Sequence, residues 1–127
     1  MKIGHIAIWT KDLEALKEFY THYFGGVSNE KYINPVTKFE SFFISFETGA
    51  KLELMRKPSI DKQRAHEESI GLTHIAFTLG SKEAVLSLTE TLRSEGFRIV
   101  GEPRTSGDGY FESVVLDTEG NRIELLA

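Results

Sequence analysis

The sequence has no cysteine, which removes disulfides, thiolate metal ligands and a cysteine nucleophile together and leaves imidazole and carboxylate as the strong metal ligands. It also lacks any apolar run near the ~20 residues that span a bilayer. Its first segment, MKIGHIAIWTKDLEALKEF, has neither the apolar centre nor the small-residue cleavage site of a signal peptide. A basic excess is missing too: the formal net charge of the 127 residues is -4. A phosphate backbone or an anionic membrane calls for a positive field. Neither nucleic acid nor a membrane is therefore an expected partner, and the expected location is the cytoplasm. No tract is of low complexity, and 40% hydrophobic with 27% charged residues is ordinary usage for a folded domain.

What is present is a repeat. GHIAIWTKDLEALKEFYTHYFGG from Gly4 and THIAFTLGSKEAVLSLTETLRSEGF from Thr73 share His-Ile-Ala, an amphipathic stretch and a closing glycine, at offsets of 69 for the histidines and 70 for Gly26 and Gly96. FES recurs at 39–41 and 111–113, and GAKLEL at 49–54 answers GNRIEL at 120–125, at offsets of 72 and 71. The chain reads as one domain, 1–127, made of a first module over 1–55, a polar linker over 56–71 and a second module over 72–127.

Each module opens with an alternating segment, 3–9 or 72–79, that predicts a strand. A helix follows. In the first, Leu13, Leu16, Phe19, Tyr20, Tyr23 and Phe24 fall at three-and-four spacing before Gly25 and Gly26; in the second, Ser81 is the expected N-cap, Val85, Leu88 and Leu92 form the stripe, and Gly96 ends it. Further strands are expected at 27–33, 39–47 and 51–55, then at 97–101, 110–117 and 122–126. The predicted class is α+β, built from two tandem βαβββ modules.

Strand parity decides which side chains can meet. His5 shares a face with Ala7 and Trp9, opposite Ile6 and Ile8; His74 shares one with Ala76 and Thr78, opposite Ile75 and Phe77. Leu52 and Leu54 flank Glu53, and Ile123 and Leu125 flank Glu124, so each glutamate projects away from its apolar neighbours. An ionised carboxylate set in an apolar strand needs compensation. One divalent ion would balance two carboxylates and accept two neutral imidazoles; this donor set suits Ni, Zn, Co, Fe or Mn alike and, around an octahedral ion, leaves two positions open. The competing reading pairs the glutamates with cations such as Arg122 and leaves the histidines structural. His22 and His66 are expected to be solvated.

GHIAI, THIAF and DTEGNRIEL (117–125) resemble the motifs of the vicinal oxygen chelate superfamily, which includes glyoxalase I, bleomycin-resistance proteins, epimerases, fosfomycin-resistance enzymes and extradiol dioxygenases. The resemblance covers the whole chain. It implies a curved, cleft-forming mixed sheet, metal ligands at His5, Glu53, His74 and Glu124, and a homodimer. It further implies a lyase or isomerase of glyoxalase type, in which a ligand glutamate, here Glu124 with Glu53 able to exchange the role, moves a proton between adjacent carbons of a hemithioacetal through a metal-chelated enediolate.

Microbial glyoxalases usually carry arginine four residues after the first histidine and asparagine four after the first glutamate, both holding glutathione. Trp9 and Lys57 stand at those places here, which speaks against glutathione as the co-substrate. Trp9 is a candidate platform for a small-molecule substrate. Phe39, Phe43, Tyr110 and the TSGDG segment (105–109) are candidates for the pocket rim, with a simple loop as the plainer reading of that segment. The other superfamily activities stand as alternatives: a small-molecule or drug-binding protein, an epimerase, or an Fe-dependent dioxygenase using His5, His74 and Glu124.

Overall fold

Alternation and helical periodicity place nearly every element. The computed structural model describes residues 1–62, 70–107 and 109–127. His66 and the centre of the expected linker, and Asp108 of the TSGDG segment, lie outside them. The chain divides into two compact units, Met1–Arg64 and Ala65–Ala127. The fold is α+β, with one mixed sheet in each unit.

The first unit runs β1 (His5–Trp9), α1 (Leu13–Phe24), β2 (Val27–Ser28), β3 (Tyr32–Ile33), β4 (Glu40–Ser45) and β5 (Lys51–Arg56). Its sheet order is β1-β5-β4-β2, with β3 also beside β4; β1 and β5 are parallel and the other pairs antiparallel. Asp12 caps α1, its Oδ1 accepting from the Ala15 amide at 3.0 Å. Leu13, Leu16, Phe19 and Tyr20 then bury one face of the helix against Phe42, Ile44, Leu52 and Leu54 of the sheet. Each such burial is worth about 1.5–3 kcal/mol. Gly25 ends the helix at φ 64°, and a Cβ on Gly26 would strike the Ile44 side chain and the Tyr20 carbonyl.

The single strand expected over 27–33 is two. Ser28 pairs with Ile44 and Tyr32 with Ser41, so the outer chain carries one residue more than β4 between those points. Asn29 occupies the gap: its Oδ1 accepts from the Phe43 amide at 2.7 Å, while its own amide donates to the Phe43 carbonyl at 3.1 Å.

The second unit runs β6 (His74–Thr78), α2 (Lys82–Ser94), β7 (Ile99–Thr105), β8 (Phe111–Leu116) and β9 (Arg122–Leu126), in sheet order β6-β9-β8-β7 with β6 and β9 parallel. Ser81 caps α2, accepting from the Ala84 amide at 3.1 Å. The buried stripe of α2 is Val85, Thr89 and Leu92, with Leu88 only half-buried. Thr89 belongs there because its hydroxyl is satisfied twice, donating to the Val85 carbonyl at 2.6 Å and lying 2.7 Å from the Ser113 hydroxyl.

Two further expectations are corrected by register. The strand expected at 97–101 forms later, at Ile99–Thr105, and tolerates Pro103 because β7 is an edge strand with register shifts on both sides of Gly101. The two FES triplets are not equivalent. Phe43 faces Glu53 across its ladder as Val114 faces Glu124, so the offset between units is 71 here, and Glu112 stands in the place of Ser41, not of Glu40. An offset wrong by one residue exchanges the two faces of a strand.

The β8–β9 turn sets where Glu124 falls. Asp117, buried at 5% exposure, accepts at Oδ1 from the amides of Glu119 (2.9 Å) and Asn121 (2.8 Å) and at Oδ2 from the Asn121 side chain (2.9 Å). Gly120 supplies the φ of 81° that the turn requires. Among the described residues no helix is long and apolar enough to cross a membrane.

Replacing Asp117 with alanine removes these charge-assisted bonds and strands the amides they satisfied. The expected loss is about 2–4 kcal/mol, read as a fall in the denaturation midpoint by circular dichroism, with Asp117→Asn recovering part of it.

Candidate metal centre

Parallel pairing creates the same juxtaposition twice. In the first unit Ala7 faces Glu53, two residues along from His5; in the second Ala76 faces Glu124, two residues along from His74. An alanine opposite each glutamate has too little side chain to screen it from the histidine on the same face. His5 Nε2 lies 3.6 Å from Glu53 Oε2, and His74 Nε2 lies 3.3 Å from Glu124 Oε2. The histidine side chains are 52% and 42% exposed, the glutamates 18% and 16%. The carboxylates are thus half-buried, and water reaches the imidazoles.

The pairing with cations weighed above is not observed. Among the described residues neither Glu53 nor Glu124 has a lysine or arginine ion-pair partner, and Arg122 bonds to neither. The donors fit a divalent ion. Zinc–nitrogen and zinc–oxygen bonds of ~2.0–2.2 Å leave two ligands of one ion roughly 3.0–3.5 Å apart, close to the separations found. A pair supplies only two donors, fewer than a metal site uses. Among the described residues no group of three or more His, Asp or Glu side chains is gathered tightly enough to hold an ion.

The pairs differ in their surroundings. Beside His5 the surface is aromatic: Phe43 meets the imidazole edge-on at 5.6 Å between ring centroids, and Phe39 lies 6.1 Å from both Trp9 and Tyr32. Trp9 is 43% exposed, free to receive a flat or apolar ligand. Three of the expected substrate contacts, Trp9, Phe39 and Phe43, therefore gather in the first unit with His5 and Glu53. Lys57 is in the turn that follows β5, its carbonyl accepting from the Ile60 amide. Tyr110 belongs to the second unit, exposed ahead of β8, its carbonyl accepting from the Ser106 amide at 2.8 Å.

Beside Glu124 the surroundings are charged. Glu112, only 8% exposed, is held by Arg104, whose Nη2 lies 2.8 Å from Glu112 Oε1. Burial raises the Glu124 pKa above its ordinary value near 4.5; Glu112 adds to the rise through like charge and hydrogen bonding, while His74 and Arg104 oppose it. Glu112 and Arg104 were not among the expected site residues. The FES repeat had hidden Glu112 by aligning it with Glu40; the offset of 71 shared by the two glutamate motifs is the signal that exposes it.

A separate cavity of about 250 Å³ opens beside the start of α1, lined by Lys11, Asp12, Leu13, Glu14, Lys31, Glu40 and Arg56. Neither His5 nor Glu53 lines it. Its acids and bases answer one another, Lys31 with Glu14 at 2.6 Å and Arg56 with Glu40 at 2.9 Å.

Comparison with known proteins supplies the context. Residues 2–125 match the family model of the Glyoxalase/Bleomycin resistance protein/Dioxygenase superfamily. An uncharacterized protein, YqjT, of Bacillus subtilis is 27% identical over 129 residues, covering 97% of this chain and 96% of its own. Glyoxalase I from Zea mays superposes with a TM-score of 0.78 at 25% identity over 98% of this chain, which spans 44% of that enzyme. The trypanothione-dependent glyoxalase I of Leishmania major superposes with a TM-score of 0.78 at 24% identity, over 99% of this chain and 86% of its own, a likeness of fold.

The raised pKa of Glu124 has a sign that can be read in the metal-free protein. A carboxyl whose folded value is raised contributes stability below its unfolded value, near 4.5, and loses it as pH rises through the folded value. Glu124→Gln stays neutral and escapes that loss. With chelator present the variant is expected to melt above the wild type at pH ~7, and the gap to close toward the unfolded carboxylate pKa. Thermal melts across pH check it; a wild type more stable than the variant at neutral pH would contradict it.

Proposed function

The chain belongs to the Glyoxalase/Bleomycin resistance protein/Dioxygenase superfamily, and from that premise we propose that it is a metal-dependent lyase or isomerase of glyoxalase type. Its substrate is a hemithioacetal or related molecule with two neighbouring oxygens. One observation carries the reading: a His–Glu pair at metal-ligand spacing recurs in both units, without a lysine or arginine ion-paired to either glutamate among the described residues.

His5, Glu53, His74 and Glu124 would hold one divalent ion of Ni, Zn, Co, Fe or Mn, the two glutamates balancing its charge and the neutral imidazoles supplying nitrogen. Bound there, such an ion polarises adjacent substrate oxygens and offsets the negative charge that grows when a neighbouring C–H is broken.

The remaining roles fall to the protein. Glu124 takes the proton from the carbon that bears the hydroxyl and the sulfur and returns it to the adjacent carbonyl carbon; its raised pKa brings it nearer the pH at which a general base is most effective. Glu53, placed alike in its own unit, can exchange that role. Trp9, Phe39 and Phe43 receive the apolar part of the substrate and exclude water from that side. Trp9 and Lys57, where glutathione-using enzymes carry arginine and asparagine, favour a different thiol. The expected assembly is a homodimer and the expected location the cytoplasm.

A second reading, a small-molecule or drug-binding protein, draws on the exposed Trp9 and its aromatic neighbours. It predicts ligand affinity indifferent to chelator, whereas the enzymatic reading ties binding to the metal.

Elemental analysis of purified protein should find Ni, Zn, Co, Fe or Mn at a fixed stoichiometry, and His74→Ala should lose it. Methylglyoxal mixed with a panel of thiols should be turned over by the metal-loaded protein. Glu124→Gln should cut kcat by about two to four orders of magnitude, the range of a general base. Loaded protein that turns over no member of the panel would exclude the glyoxalase reading.

A further inference from the structure

The faces that carry the two pairs are not equivalent, and the difference is a cation. Where the second unit has Glu112, the first has Ser41. A serine has no charge with which to hold a guanidinium, whereas Glu112 holds Arg104 at 2.8 Å. A carboxylate at 8% exposure is costly to bury, and here its ion-pair partner is an arginine whose side chain stays 55% exposed. The pair is therefore one-sided: the carboxylate is sunk in the sheet and the guanidinium stands in solvent.

The backbone has been adjusted to put Arg104 there. Gly101 pairs with Val114, the residue facing Glu124, and Arg104 pairs with Glu112; three residues of β7 span what two of β8 span. Strict alternation would turn Arg104 to the face opposite Gly101. The extra residue returns it to the face of Glu124, the re-aiming that bulges perform. Its charge is felt at Glu124, where it favours the ionised carboxylate. A guanidinium offers five N–H donors in a planar fork, and one edge turned to Glu112 leaves others to grip a second anion.

From this geometry we infer that Arg104, held in place by Glu112, is an anion-recognition residue, and that the substrate carries a carboxylate in addition to its two neighbouring oxygens. The inference rests on the glyoxalase-type reading and deepens it by naming the class of thiol: one bearing a negative charge. Trp9 and Lys57 remove the glutathione contacts expected in the first unit; Arg104 supplies a different anion site from the second. No bond is made or broken at Arg104. It binds and orients, while Glu124 moves the proton.

Three methylglyoxal adducts of similar size separate the charge from the rest: those of mercaptopropionate, mercaptoethanol and cysteamine, with negative, neutral and positive ends. The zinc- or nickel-loaded wild type should prefer the anionic adduct over the neutral one by about tenfold or more in kcat/KM, the worth of one charge-assisted contact, with the cationic adduct the poorest. The preference should appear mainly in KM.

Arg104→Met should bring the anionic-to-neutral ratio close to one, and Arg104→Lys should keep part of it. Because Arg104→Met leaves Glu112 buried without its partner, the double variant Arg104→Met with Glu112→Gln restores a neutral, folded site and should show the same collapse. A wild-type ratio near one, or a ratio that survives in the double variant, overturns the inference.

Binding without chemistry distinguishes this from the reading beneath it. Unreactive methylthiopropionate, titrated into nitrogen-15-labelled protein, should shift the Arg104 Nε–H resonance, and the alcohol of the same length should not. That shift in a protein that turns over no adduct supports the anion site and sinks the glyoxalase chemistry alone. Turnover without charge preference, and without the shift, does the reverse.

Discussion

Parallel pairing of the first and last strands of each unit is the constraint from which the rest follows. A parallel neighbour places residues of equal parity on one face, and the shared register sets the histidine two positions from the glutamate, with an alanine facing the carboxylate. The apolar residues flanking each glutamate are drawn to the helix-covered side, where Leu54, Ile123 and Leu125 are fully buried. The carboxylate is thereby held half out of water with an imidazole nitrogen 3.6 Å away in the first unit and 3.3 Å away in the second. That is an unfavourable place for an anion without a cation.

Repeating a unit repeats its donors, yet the two copies have diverged in what surrounds them. The first sets His5 among aromatic rings; the second sets Glu124 beside a buried acid and an exposed base. Divergence of this kind sets apolar surface beside one pair and charged groups beside the other. The cavity at the start of α1 has the opposite character: its charges are already matched, so an incoming ligand would first have to break ion pairs.

Much of the architecture was legible because it is governed by short-range rules. Asp12 and Ser81 cap helices through bonds three residues away, Gly25 stops a helix through its own φ, and the faces of His5, Glu53, His74 and Glu124 follow from period-two alternation. The misreadings share a different cause. Asn29 splits the strand expected at 27–33 by bonding the backbone of Phe43, fourteen residues away. Thr89 enters the core because Ser113 satisfies it. A local pattern shows that Thr89 is polar, but not that a partner waits on another strand.

The sequence by itself determined the duplicated α+β plan, the side of each strand on which the histidines and glutamates project, and the family to which the chain belongs, since residue parity, caps and the HIA and IEL motifs are written locally. Only the tertiary structure decided the register between strands. Pairing distant strands revealed that Glu112 corresponds to Ser41 and not to the matching letter at Glu40, and an extra residue in β7 turned Arg104 toward Glu124. Register is a sum over many non-local hydrogen bonds and packed side chains, and shifting it by one residue reverses every side chain on the strand; no stretch of sequence read alone contains that sum.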